Sequence, residues 1–362
     1  MAIHVKSFKI QSYRGIQNLA LENLNSINVL TGNNNSGKTS ILELLSTIDN
    51  PQDIGAWVLP SRSYNSRIRS SSFFNGFCSM FPVDNEEKCI SYEFLNSNNN
   101  ITQIRFEGEL ESTQLPENEI HRLNGLLRTG SSKAENEILD TTCLHLSTYI
   151  NNEKVNNYTL YDLQTRISRF VNKKPFFVPT TYVSPVDHAT GMLYLDDVLA
   201  NTQLYEQLLN ILQEFDSNII NISSIKAKNA VPEYMILTRN HNSAISLNSY
   251  GDGMKKALLL LSAIVRSQNG ILLLDEFETA IHTSAMDSIF SWLLKNALKM
   301  NVQIFLTSHS KEAIDKILRM DETIQSNINV YTLYNCDGNN YARMLQGSDA
   351  IDAQDNLGLE LR

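Results

Sequence analysis

The stretch Gly32-Asn33-Asn34-Asn35-Ser36-Gly37-Lys38-Thr39 combines residue types and spacing that prescribe one chemistry. Glycines at both ends let the backbone curl until successive N–H groups face a common point, as phosphate binding requires. Lys38 is placed to reach the β- and γ-phosphates of a nucleotide, and the Thr39 hydroxyl to hold Mg²⁺. Asn33, Asn34, Asn35, Ser36 and Ser40 complete the nucleotide-binding stretch, which opens a helix whose N-terminus favours negative charge.

Three other segments supply partners for that loop. Ile271-Leu272-Leu273-Leu274 is an apolar run ending in Asp275-Glu276. A strand buried on both faces has this composition, and acids at its carboxyl end can point at a ligand above the sheet. Asp275 fits a Mg²⁺ role through water, and Glu276 fits the base that polarises an attacking water. Val302 to Leu306 is another apolar run, ending in Thr307-Ser308-His309-Ser310. His309 there could donate a hydrogen bond to a γ-phosphate and sense its loss. Asn248-Ser249-Tyr250-Gly251-Asp252-Gly253-Met254 opens a further helix on glycines but lacks a Lys-Ser/Thr pair. It reads as a second anion contact, made by a neighbouring subunit to the same γ-phosphate, through Ser249, Gly251 and Gly253.

The elements that position these residues follow from hydrophobic period. His4 to Ile10, Ile16 to Leu21 and Ile27 to Leu30 read as strands, and Ile41 to Ile48 as a buried helix ended by Asn50-Pro51. Residues 51–88 have no period and read as long loops; Arg62, Arg67, Arg69, Phe73 and Phe74 within them suit either an interaction surface or packing on the core. Cys89 to Leu95 and Ile101 to Leu110 form a hairpin around an Asn/Ser turn. Residues 116–173 read as helical, with Ile120, Leu123 and Leu127 on one face and Leu160, Leu163, Ile167 and Phe170 on another. Beyond Pro175 come a strand, a helix from Leu204 to Phe215, and short strands from Ile219 to Leu247. Helices and strands then alternate from Gly253 to Leu318, and a hairpin around Asp337-Gly338-Asn339 follows. Such alternation predicts a parallel sheet.

Composition narrows the alternatives. The 362 residues carry 30 Lys+Arg against 39 Asp+Glu, a net charge of -9, with 42% hydrophobic and 19% charged residues. That excludes disorder as the main state and argues against a surface coated with basic groups for nucleic acid. Cys78, Cys89, Cys143 and Cys336 form no C-x-x-C pair, which supports neither a zinc nor a redox motif and fits reduced thiols in a cytoplasmic protein. No apolar run approaches the ~20 residues of a membrane span, so no membrane role is expected.

Together these motifs resemble an ABC-type ATPase head: GNNNSGKT as Walker A, NSYGDGM as the signature, LLLDE as Walker B and TSH as the switch histidine. Within that superfamily, YRGI, GNNNSGKTSILE, SYGDGMKKAL, DEFETAIH and FLTSHSKE are similar to the ATPase domain of the overcoming-lysogenisation-defect (OLD) family, whose related heads occur in bacterial anti-phage systems. The resemblance covers 1–110 and 175–362. It implies an α/β P-loop head with a mixed sheet and an antiparallel β subdomain; 111–174 matches nothing in the family and, from its apolar period, is expected to be a small helical insertion. It also implies ATP and Mg²⁺, and heads joined head to tail as a homodimer or higher oligomer, with Ser249, Gly251 and Gly253 acting across the interface. Arg14 resembles a family arginine near the phosphates, and His282 would lie near the dimer seam. The family's glutamine lid has no counterpart after Pro179, which leaves the Mg²⁺ shell incomplete.

OLD-like proteins carry a nuclease domain, and too little chain follows His309 to expect one here. Asp349, Asp352 and Asp355 read as a solvated face. The expected function is an ATP-hydrolysing switch subunit that regulates a separate effector, a nuclease or toxin, in anti-phage defence. The alternatives are a RecF-like repair ATPase that binds DNA directly, which the acidic charge disfavours, and a scaffold in which nucleotide only joins subunits.

Overall fold

The computed structural model describes residues 3–63, 72–83, 87–124, 138–164, 175–189, 193–225, 233–336 and 338–358. A hairpin of β1 (Val5–Tyr13) and β2 (Ile16–Leu21) comes first, then β3 (Ile27–Gly32), buried along its whole length. The glycine loop leads from β3 into α1 (Lys38–Leu45). After α2 (Phe73–Cys78), the strands β4 (Lys88–Asn96) and β5 (Ile101–Pro116) form a hairpin. The short α3 (Glu117–Leu123) precedes β6 (Ile138–Ile150) and β7 (Glu153–Tyr161). Then come β8 (Thr180–Val183), α4 (Leu195–Leu199), α5 (Thr202–Phe215) and the short strands β9 (Ile219–Ile225), β10 (Glu233–Thr238) and β11 (Ile245–Ser246). The last third runs α6 (Asp252–Arg266), β12 (Ile271–Leu274), α7 (Thr283–Lys299), β13 (Gln303–Thr307) and α8 (Lys311–Arg319). It ends with α9 (Glu322–Gln325), β14 (Ile328–Cys336), β15 (Asn339–Gln346) and α10 (Gly347–Leu357).

The strands form three sheets. An antiparallel sheet has the order β2-β1-β4-β5-β6-β7, a small one β11-β10-β9, and the third β15-β14-β3-β13-β12-β8. In the third, β14, β3, β13, β12 and β8 are parallel, and β15 is antiparallel at one edge. Its central strands divide alternate side chains between two cores. Val29, Leu272, Leu274, Ile304 and Leu306 face the core built with α5 to α8, whereas Leu30, Ile271, Leu273 and Phe305 face the core shared with α1 and the antiparallel sheet. This is why both faces of these strands read as apolar. Helix α1 therefore lies between the two large sheets, with Ile41, Leu42, Leu44 and Leu45 fully buried.

Two expectations need correction. The segment 111–174, expected as a helical insertion, is mostly strand among its described residues. Glu117–Leu123 is a short helix, while β6 and β7 extend the antiparallel sheet from β5, with a register shift in the β6–β7 ladder at Thr148/Tyr149. Leu160 is thus a strand residue on the buried face, and Leu127, Ile167 and Phe170 lie outside the described residues. Ile120 and Leu123 do lie on the short helix, but at Leu160 the apolar spacing mimicked a helical period and cross-strand pairing overrode it. The 51–88 stretch, expected as loops, buries Trp57, Phe73, Phe74 and Phe77 against the antiparallel sheet, with Trp57 and Phe106 edge to face at 4.3 Å. Packing on the core is therefore the fate of Phe73 and Phe74; Arg67 and Arg69 lie outside the described residues.

One buried amide joins the two large sheets. Gln303, at the start of β13, accepts from the backbone N–H of His4 (3.0 Å) and Val5 (2.8 Å), and donates to the carbonyls of Val5 (2.8 Å) and Asn25 (2.9 Å). Gln303→Leu leaves these groups unpaired in the core and should lower unfolding stability by about 2–4 kcal/mol in urea titrations with unchanged slope. A loss under about 1 kcal/mol would show that the amide does not pin the sheets together.

Candidate functional site

The glycine loop owes its shape to two positions. Gly32 has φ +131°, and a Cβ there would lie 2.3 Å from the Leu333 carbonyl oxygen of the neighbouring strand β14. Gly37 has φ +97°, with a Cβ position 2.9 Å from Ile16 Cδ1. Asn35 also has a positive φ, 62°, a conformation asparagine tolerates better than most residues. Asn33, Asn34 and Asn35 are exposed; Ser36 and Lys38 are buried. The Lys38 ammonium is wrapped by its own loop, donating to the carbonyls of Gly32 (2.7 Å) and Asn33 (2.8 Å) and to Ser36 Oγ (3.4 Å). Burial lowers its pKa, while Asp275 and Glu276 pull the other way. Gly37 caps α1 with no side-chain acceptor, so first-turn N–H groups stay available to an anion.

Thr39 and Asp275, distant in sequence, meet at the carboxyl ends of the parallel strands. Thr39 Oγ1 lies 3.1 Å from each oxygen of the buried Asp275 carboxylate. Thr307 at the end of β13 donates to Oδ1 at 2.6 Å, and Tyr182 at the end of β8 donates to Oδ2 at 3.1 Å. Burial, helped by Asp275, pushes the Tyr182 phenol far up, so it stays a proton donor. The same Thr307 hydroxyl accepts from the Glu276 N–H at 2.8 Å. Glu276 itself has φ 43°, an uncommon left-handed conformation for a glutamate. Its carboxylate is half-exposed, with Oε1 4.0 Å from His309 Nε2. Asp275, Glu276, Thr39 and His309 thus cluster above the ends of β12 and β13. Strain at such a residue is a pointer to function.

Two participants escaped the sequence reading. Tyr182 follows Pro179 by three residues, in the segment searched for a glutamine. Glu278 Oε1 accepts from Ser308 Oγ (2.7 Å) and from the backbone N–H of His309 (3.2 Å) and Ser310 (3.3 Å), holding the histidine loop from below. An acid two residues after Asp275-Glu276 was the available signal; its partners became visible only once β12 and β13 were adjacent.

The remaining expected residues divide. Ser249 and Gly251 are exposed, and α6 begins at a Gly251 cap without a side-chain acceptor, so this helix start is open to a ligand from outside. A Cβ on Gly253 would approach the Ala280 carbonyl to 3.1 Å, so glycine there permits close packing of α6 on the turn after β12. Arg14, with φ 53°, directs its guanidinium to the Pro60 carbonyl and lies 3.8 Å from Glu43 of α1. Glu43 also takes both arms of Arg62, at 2.7 and 3.0 Å. Ser40 lies at the edge of this group, 3.5 Å from Arg62. These partners place Arg14 beside the helix that follows the loop. His282 caps α7, accepting from the Ser284 N–H at 3.3 Å.

Hard oxygen ligands are what Mg²⁺ takes, and the Thr39 hydroxyl beside the Asp275 carboxylate is such a set. A curled loop with Lys38 inside and two glycines at positive φ, one of them closed to a Cβ by neighbouring backbone, fits a polyphosphate. Fold and site define an α/β P-loop ATPase head. A family model described as "AAA ATPase domain" matches residues 3–190, and the chain belongs to that family. A second, described as "AAA domain, putative AbiEii toxin, Type IV TA system", matches residues 186–315. The chain is 24% identical to a Helicobacter pylori "ATP/GTP phosphatase" over 87% of this chain and 88% of that protein. It is 23% identical to the "DNA replication and repair protein RecF" of Francisella tularensis over 87% and 97%. The fold is that of the SMC head: an SMC head bound to the winged-helix domain of ScpA superposes with a TM-score of 0.50 and 9% identity, over 96% of this chain and 99% of that one.

A buried cation behind the site gives a pH test. Lys256 of α6 is fully buried, and its Nζ has no hydrogen-bond partner among the described residues. Burial pushes its pKa from 10.5 down to about 8, against the attraction of Asp187, Glu278 and Asp275. The unfolded chain therefore binds more protons from about pH 8 to about 10.5. Stability contributed by this group rises with pH through that window, and the penalty is constant below it. Lys256→Met should gain about 3 kcal/mol over wild type in urea titrations at pH 7, shrinking as pH approaches 10. A difference that does not vary between pH 7 and 10 would contradict the assignment.

Proposed function

We propose that this protein is an ATP-hydrolysing switch whose active site is completed by a second copy of the chain. The observation that carries the reading is the meeting of Thr39 with Asp275 beside a loop folded for phosphates. In this reading Gly32 to Ser40 hold the triphosphate, and Lys38 leaves its loop carbonyls for the β- and γ-phosphates. Thr39 and Asp275 hold Mg²⁺, Asp275 through water, and the ion when bound neutralises charge on the phosphate oxygens. Glu276 orients and deprotonates water, while His309, steadied by Glu278, faces the γ-phosphate. Arg14 supports the loop through Glu43 and α1.

Ser249, Gly251 and Gly253 of a second subunit would close over the γ-phosphate. The exposure of Ser249 and Gly251 and the uncapped start of α6 support this arrangement. A ligand that contacts both subunits stabilises the closed pair, and hydrolysis releases it. We place this head with the OLD-like ATPases and infer that it regulates a separate effector, a nuclease or toxin, in anti-phage defence. The match to the AbiEii-type model is compatible with that role. A second reading, direct DNA binding in repair, draws on the likeness to RecF along nearly its whole length. The net charge of -9 weighs against it, because phosphate-backbone binding needs clustered Lys and Arg.

Glu276→Gln should retain ATP binding, lower phosphate release by about 100-fold or more, and shift the light-scattering mass in ATP to the closed oligomer. Wild-type release by the variant would remove Glu276 from the role of base. Salt-sensitive, ATP-stimulated DNA binding by the purified chain would favour the RecF-like reading, whereas co-purification of a second protein from native extract supports the effector.

A further inference from the structure

The outward face of the antiparallel sheet carries a second cluster of chemically competent side chains, on strands remote in sequence from the phosphate loop. Cys143 and His145 lie two residues apart on β6, so both project from the same face. Glu111 of β5 stands directly opposite Cys143 in the ladder. Their ligand atoms all fall within 4.8 Å of one another. His145 Nε2 is 3.4 Å from Cys143 Sγ and 3.0 Å from Glu111 Oε2, while Nδ1 is 3.0 Å from Thr159 Oγ1 on β7.

Hydrogen bonding accounts for this only in part. Nε2 carries at most one proton, and that proton cannot serve a thiol and a carboxylate fully at once. Three electron-pair donors converging on one point is the arrangement that a cation satisfies. Tetrahedral zinc, with bonds near 2.3 Å to sulfur and near 2.0–2.1 Å to nitrogen and oxygen, places its ligand atoms about 3.3–3.6 Å apart. The observed 3.4 and 3.0 Å need shifts of only tenths of an ångström to match. Thr159 supplies the outer contact that fixes the ring of a metal-bound histidine through its other nitrogen.

We propose that Glu111, Cys143 and His145 bind a divalent metal ion of the Zn²⁺ class. Thiolate and imidazole select such an ion over Mg²⁺ or Ca²⁺. Binding releases the Cys143 proton to solvent, and His145 ligates through the unprotonated Nε2 while Nδ1–H donates to Thr159. Cys143 is buried, whereas His145 and Glu111 are open to solvent, so the ion has an entry path and a fourth position for water. The metal would clasp β5 to β6, with β7 tied in through Thr159. No C-x-x-C spacing announces the site, because its third ligand arrives through strand pairing.

The test is titration of the chelator-treated, full-length protein with Co²⁺, a spectroscopic substitute for zinc. One equivalent should produce a thiolate-to-cobalt charge-transfer band with visible ligand-field bands, and Zn²⁺ should bleach both. Cys143→Ser should abolish the charge-transfer band, and Cys336→Ser, at an exposed thiol, should leave it intact. Glu111→Gln, at an exposed position that leaves the sheet undisturbed, should weaken Co²⁺ binding about tenfold or more, as should Thr159→Val. Absence of the band, its survival in Cys143→Ser, or unchanged affinity in Glu111→Gln would overturn the proposal. Phosphate release need not respond, so this result stands apart from the ATPase reading.

Discussion

A single buried carboxylate organises the ends of the parallel sheet. Asp275 receives hydroxyl groups from Thr39 of α1, Thr307 of β13 and Tyr182 of β8. Each comes from a different part of the chain, and each fixes the strand or helix that carries it. An unpaired carboxylate in this position would be costly, so the hydroxyls are as much a folding requirement as a preparation for chemistry. Without nucleotide they hold the charge. With Mg²⁺ at the loop, the Thr39 hydroxyl and Asp275 are already oriented towards one place.

Charge burial recurs around this point, and each case is arranged differently. Glu43 on α1 is buried, which raises its pKa, and Arg62 and Arg14 oppose the shift. Glu278 satisfies one oxygen with three donors while the other has no hydrogen-bond partner among the described residues. Lys256 is the extreme case, a buried ammonium with only longer-range attraction to acids. It sits on α6, behind the glycine-rich start that would meet a second subunit. The acids that attract it are Asp187, beyond β8, and Glu278, Asp275 and Glu276 around the turn after β12. Stability is given up where the two halves of the proposed site are joined, the pattern expected when function and stability compete.

Much of this was legible in the sequence where a local rule and the global fold agree. The apolar runs at 27–30, 271–274 and 302–306 announced strands buried on both faces, and the residues at their ends announced the site. Asp275 and Thr39 could be paired in advance because a phosphate loop and an acid-ended strand have fixed places in a parallel sheet. Strands β6 and β7 were not legible, because apolar spacings in short segments suit either period and only pairing with β5 decides between them. Tyr182, Glu278 and the Glu111–Cys143–His145 cluster share one cause of invisibility. Their partners lie on neighbouring strands or just beyond the strand ends, and register cannot be read from a single segment.

The central claim is that one active site draws on two copies of the chain. Complementation between two inactive variants measures this directly. Lys38→Ala removes the loop cation and Ser249→Arg blocks the glycine-rich helix start, so each protein alone should release almost no phosphate. Mixed in equal amounts and allowed to exchange, half of the dimers are mixed, and each mixed dimer has one site built wholly from native residues. Activity should then recover to roughly a quarter of wild type, as two-fold symmetry requires. A mixture no more active than the sum of its parts would contradict the shared site.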